Sequence, residues 1–86
     1  MAVSASIVQK DGAQFLIGTV YTVGLIGLPG ANISIEGKST GAISDFDGAF
    51  KIAIEKGDDV SFQYIGLPTA TLKISDEMEY RIMKTE

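Results

Sequence analysis

Apolar side chains recur at every second position along most of this chain. Ile33 and Ile35, then Phe50, Ile52 and Ile54, then Val60, Phe62 and Tyr64 alternate with smaller or polar neighbours. That period of two is the mark of strands with one buried face. Phe15 to Thr22 (FLIGTVYT) is rich in β-branched and aromatic residues, which favour a pleated surface. Thr71 to Ser75 and Glu79 to Lys84 are shorter alternating runs, and Val3, Ala5 and Ile7 predict one more strand at the start. Between the runs lie turn-forming segments: Pro29-Gly30, Gly37 to Gly41, Asp47-Gly48, Lys56 to Asp59 and Gly66 to Pro68. Seven or eight short strands with no helical stretch of useful length predict an all-β antiparallel sandwich or barrel, organised as one domain over residues 1–86.

Composition narrows the chemistry. The chain holds 86 residues without a cysteine or a histidine. Packing alone must therefore hold the core, and no thiolate or imidazole is present to ligate a metal or serve as nucleophile or base. The net charge is −4, with seven scattered basic residues, so no basic patch is expected for nucleic acid or anionic lipid. No run reaches the roughly 18 apolar residues that direct membrane insertion needs, and Met1 to Ser6 lacks the charged start of a secretory signal. The apolar content of 45% is high for so small a domain, and some of it is expected to meet a protein partner.

The segment Ser44 to Phe50 (SDFDGAF) carries two carboxylates beside a glycine and invites a metal or acid–base reading. With Gly48 as position 6 of a calcium loop, Asp47 and Asp45 fill positions 5 and 3, but Ile43 and Ile54 fall at positions 1 and 12. Neither offers a side-chain oxygen, so that calcium site fails. Two hydrated carboxylates in one tight turn also lack the divergent environments an acid–base pair requires. The remaining reading is structural: Asp47-Gly48 supplies the positive φ angles of a tight hairpin turn, and the Asp45 side chain accepts backbone N–H groups two residues on. Phe46 and Phe50 would then cover the end of the core. No cofactor, metal or catalytic residue is expected.

With these elements in order, the chain from about residue 18 to 83 resembles the carboxypeptidase regulatory-like domain, a transthyretin-like (prealbumin-type) fold, as found in the N-terminal extension of TonB-dependent outer-membrane receptors of Bacteroidetes. The matching pieces are Gly18-Thr19-Val20, Leu28 to Ile33, Gly37 to Gly41, Ser44 to Phe50, a Lys-Gly-Asp turn, and Ser61 to Gly66. The resemblance implies a seven- to eight-stranded Greek-key β-sandwich in which the motifs shape turns. It also implies a non-enzymatic accessory or interaction module of a nutrient receptor on the periplasmic side of the outer membrane. Residues 1–14 lie outside the resemblance and are expected to form an extra N-terminal strand or arm, added in cis or exchanged with a neighbour.

Three departures from the family pattern stand out. Tyr21 to Gly27 is almost devoid of polar side chains where an acidic turn is usual, Leu67-Pro68 replaces an aromatic residue, and nothing after Met83 resembles the start of a receptor plug. Loops run over the surface, so Val23, Leu25 and Ile26, together with Leu28, Leu67 and Pro68, form a candidate protein interface, including one between copies in a homo-oligomer. The opposing expectation is that this loop folds under its sheet edge and caps the core. Two alternatives accompany the receptor reading: a complete stand-alone unit of a larger assembly such as a phage virion, located in the virion or cytoplasm, and a carbohydrate-binding module stacking sugars on Tyr21, Tyr64 and Tyr80. Periodicity places at least Tyr64 in the core instead. Lys10, Asp11, Asp58, Asp59, Lys84 and Glu86 read as solvated turns and ends.

Overall fold

A computed structural model describes residues 1–22 and 24–83. Eight strands follow in chain order: β1 (Ala2–Lys10), β2 (Ala13–Tyr21), β3 (Asn32–Ile35), β4 (Gly41–Ile43), β5 (Ala49–Ile54), β6 (Asp59–Gln63), β7 (Ala70–Lys73) and β8 (Glu79–Met83). They form two four-stranded antiparallel sheets, ordered β5-β2-β1-β8 and β4-β3-β6-β7. Strands β3, β4 and β5 are successive neighbours around the sandwich, and β5 returns to lie beside β2, which is a Greek key. The short β4 was hidden in the sequence, where Gly41-Ala42-Ile43 offers only one inward residue, Ala42. The N-terminal segment is a central strand: β1 pairs in cis with both β2 and β8.

The alternation places side chains as the pleat requires. Val3, Ala5 and Ile7 of β1 sit opposite Val20, Gly18 and Leu16 of β2, all on the inner face. From the second sheet, Ile33, Ile35, Val60, Phe62 and Leu72 meet them, and Phe50 packs edge-to-face on Phe62 with ring centroids 5.3 Å apart. Tyr64 is half-buried against this core, in line with its periodicity. Tyr80 is buried, and its hydroxyl accepts the Ser75 N–H at 2.9 Å and donates to the Ser75 carbonyl at 3.1 Å, tying the β7–β8 connection to β8. No buried side-chain N or O atom among the described residues lacks a hydrogen-bond partner.

Strict up-down alternation sorts the connections, and the even number of strands brings the start of β1 and the finish of β8 to one end. The β1–β2, β3–β4, β5–β6 and β7–β8 links all lie at one end; the β2–β3, β4–β5 and β6–β7 loops lie at the other, with Met1 and Met83. The first end is charged: Lys38 bridges Glu55 at 2.8 Å and Asp58 at 3.0 Å, and Lys56 pairs with Asp76 at 2.9 Å. Its hydrogen bonds, to Glu55 first and then Asp58, hold the Lys38 ammonium above the usual lysine value of 10.5.

Candidate interaction face at the loop end

The second end is built around the Ser44 to Gly48 segment. This segment is not a hairpin turn, because β4 and β5 belong to different sheets. It is a corner carrying the chain from one sheet to the other. Of the two residues expected at positive φ, only Gly48 takes it, at 85°. Asp45 organises the corner: its Oδ1 accepts the N–H groups of Asp47 and Ala49, each at 2.9 Å, while its backbone N–H donates to the Ala49 carbonyl at 2.8 Å. Phe46 does not cover the core; it is 89% exposed, since the corner turns it outward, while Phe50 alone is buried.

The β2–β3 loop is locked onto this corner. A Cβ on Gly48 would strike the Val20 carbonyl oxygen and sit 2.8 Å from the Leu28 nitrogen, and one on Gly27 would strike the Asp47 carbonyl. The two backbones touch because neither residue has a side chain. Ser44, buried between them, donates to the Leu28 carbonyl at 2.6 Å and accepts the Ala31 N–H at 2.8 Å. Leu28 is consequently drawn into the core at 7% exposure and leaves the candidate surface.

Leu25 and Ile26 remain outside, 75% and 69% exposed. The Thr22 hydroxyl accepts the Gly24 and Ile26 N–H groups, both at 3.2 Å, and holds the tip of the loop. Leu25 takes φ = 68°, a left-handed conformation that costs a side-chain-bearing residue about 1–2 kcal/mol. The fold makes no use of its side chain. Val23 lies outside the described residues, as do Lys84 and Glu86. Leu67 is half-buried against the core, and Pro68 is exposed.

Sequence reasoning missed three members of this face: Ile43 (67% exposed), Phe46 and Ile65 (96%). Ile43 and Ile65 fall at the outward positions beside inward Ala42 and Tyr64, so alternation already sets them outside, and only the topology gathers them at this end. Of nine exposed large hydrophobic residues among those described, six lie at this end: Leu25, Ile26, Ile43, Phe46, Ile65 and Met83. The charges on its loops are Asp45 and Asp47, with no lysine or arginine in the described parts of residues 22–31, 44–48 and 64–69. Beside the face, Pro29, Gly30, Asn32, Gln63, Tyr64 and Ile65 line a shallow groove.

The three tyrosines do not converge. Tyr21 follows buried Val20 and so lies on the outer face of its sheet, Tyr64 turns with Val60 and Phe62 toward the core of the other, and Tyr80 is buried. Among the described residues no three acidic side chains come together to hold a metal ion. No helix among them is long and apolar enough to cross a membrane.

The arrangement defines a β-sandwich with one charged end and one apolar loop end, its conspicuous motifs spent on turns. The chain belongs to the carboxypeptidase regulatory-like domain family (CarboxypepD_reg-like domain), whose model matches residues 16–86. It is 37% identical over 49 residues to the TonB-dependent receptor SusC of Bacteroides thetaiotaomicron, a match covering 57% of this chain and 5% of that protein. It is 41% identical over 54 residues to the TonB-dependent receptor P26 of Formosa agariphila, covering 63% of this chain and 5% of the receptor. The receptor P3 of the same organism is 32% identical over 57 residues, covering 65% and 6%. The matched stretch thus spans about one-twentieth of the length of these relatives. No solved structure matches significantly.

Proposed function

We propose that this chain is a non-catalytic docking module of a TonB-dependent receptor, held on the periplasmic side of the outer membrane and taking part in nutrient uptake through protein contacts. The observation that carries the reading is the segregation of exposed apolar side chains to one end of a sandwich whose other end is charged and hydrated. A free surface has no use for such a face, whereas a docking module requires one. The family and the receptor relatives supply the setting, since in such receptors a domain of this kind belongs to a larger polypeptide. The corner carboxylates fit the same view: Asp45 is occupied with backbone N–H groups, so its conspicuous spacing from Asp47 serves shape rather than chemistry.

The test is to locate the whole polypeptide encoded by its reading frame. Fractionation with the outer membrane, and cleavage of this domain by added protease only after that membrane is opened, are the expected results. Cleavage on intact cells, or recovery with cytoplasmic proteins or with virions, refutes the reading.

A further inference from the structure

The strand count has a mechanical result. β1 starts, and β8 finishes, at the apolar end, where Ala2 pairs with both Tyr21 and Met83. In a polypeptide of the relatives' length, chain leading into β1 or out of β8 would enter or leave through this face. We propose, resting on the receptor reading above, that the face formed by Leu25, Ile26, Ile43, Phe46 and Ile65 is covered in cis by the neighbouring module of its own receptor polypeptide, through an apolar patch with a basic rim.

Two features select that occupant over a second copy of this chain, and a third argues that the face is covered at all. The first is charge. Asp45 and Asp47 are exposed beside the apolar residues, and the described parts of the three loops carry no cation. Two copies meeting face to face would set these carboxylates against each other, whereas a lysine or arginine rim would complement them.

The second is size. Five exposed side chains supply at most about the 800 Å² per partner of a standard-size complex, which leaves little surplus over the cost of association. Tethering lowers that cost, because a short linker raises the effective concentration to about the millimolar range. The third is Leu25. Its left-handed backbone closes the loop, with Leu25 N–H bonded to the Thr22 carbonyl and Thr22 N–H to the Ile26 carbonyl, but a glycine would serve that turn at lower cost, and the leucine side chain is left mostly in water.

The experiment compares amide hydrogen exchange at residues 24–27, 45–48 and 64–67 in the 86-residue chain and in the whole outer-membrane polypeptide. Exchange at this end is expected to slow at least tenfold in the whole polypeptide. Phe46→Asp should abolish the slowing and Asp47→Lys should weaken it, with exchange in β1 and β2 unchanged as proof of folding. Equal exchange in a polypeptide that does fractionate with the outer membrane overturns this proposal and leaves the receptor reading standing. A polypeptide absent from that membrane overturns both. Light scattering on the 86-residue chain is expected to give a monomer; a dimer dissociated by Phe46→Asp makes a second copy the occupant and also overturns the proposal.

Discussion

Gly48→Ala tests the interlocked corner most directly, because the backbone conformation and the packing at this position can be separated by a control. Gly48 holds φ = 85°, and an added Cβ would collide with the Val20 carbonyl oxygen and approach the Leu28 nitrogen to 2.8 Å. Gly12 holds a similar φ of 82° with nothing within 4 Å of its Cβ position. Both alanines incur the left-handed penalty of about 1–2 kcal/mol. Only Gly48→Ala adds overpacking, about 1–3 kcal/mol, and here the obstacle is backbone that cannot change rotamer. It also strains the hydrogen bonds from Val20 N–H to the Gly48 carbonyl and from Leu28 N–H to the Val20 carbonyl, each 2.8 Å. The total of about 2–5 kcal/mol compares with roughly 4–13 kcal/mol expected for the stability of a domain of this length. In urea, with a slope of about 1 kcal/mol per molar for so small a chain, the Gly48→Ala midpoint should fall by about 2 M or more, and that of Gly12→Ala by about half as much or less. Equal midpoint losses for the two variants would refute the argument that backbone contact at the corner dictates glycine.

Four further outcomes are expected. Ser44→Ala strands the Leu28 carbonyl and the Ala31 N–H in a buried site and should lower stability by about 2 kcal/mol in the same titration. Asp45→Ala should cost about 1 kcal/mol, while Asp45→Asn, whose amide oxygen still accepts both N–H groups, should cost clearly less. Leu25→Gly relieves a left-handed side chain and should raise thermal stability by about 0.5–1 kcal/mol; a destabilised variant would show that the Leu25 side chain supports the fold. Lys38, held above 10.5 by Glu55 and Asp58, contributes fully below that unfolded value and loses its contribution as pH rises from there through the higher folded value. Difference melting of wild type against Lys38→Met should therefore be flat from neutral pH to about 10 and converge only above it, and a difference that disappears near pH 8 would contradict the pairing.

The period-two runs made seven of the eight strands legible, because each has an inward face that must be apolar to be buried at all. They also pointed to an antiparallel sandwich or barrel, which the family resemblance narrowed to a sandwich, and to the inward-facing residues Ile33, Ile35, Phe50, Ile52, Ile54, Val60 and Phe62. β4 escaped because an edge strand of three residues with one inward alanine leaves no periodic trace. The candidate face was legible in part. Leu25 and Ile26 announce themselves as apolar residues in a loop, whereas Phe46 passes for core, and Ile43 and Ile65 are outward by alternation but are brought beside the loop only by the fold.

The two Asp-Gly pairs of this chain mark the boundary between what the sequence determined and what the fold decided. Asp11-Gly12 joins β1 to β2 as a two-residue hairpin with both residues at positive φ, 53° and 82°. Asp47-Gly48 has the same local chemistry but carries the chain between sheets, with Gly48 alone at positive φ. A dipeptide determines that the chain can reverse tightly, since that depends on φ alone. Which strand lies across the turn depends on contacts far away in sequence, here on Val20, Gly27 and Leu28 closing against the corner. The same holds for the apolar end: hydrophobicity is local, but whether a side chain ends in the core or on a face is settled only when both sheets have paired.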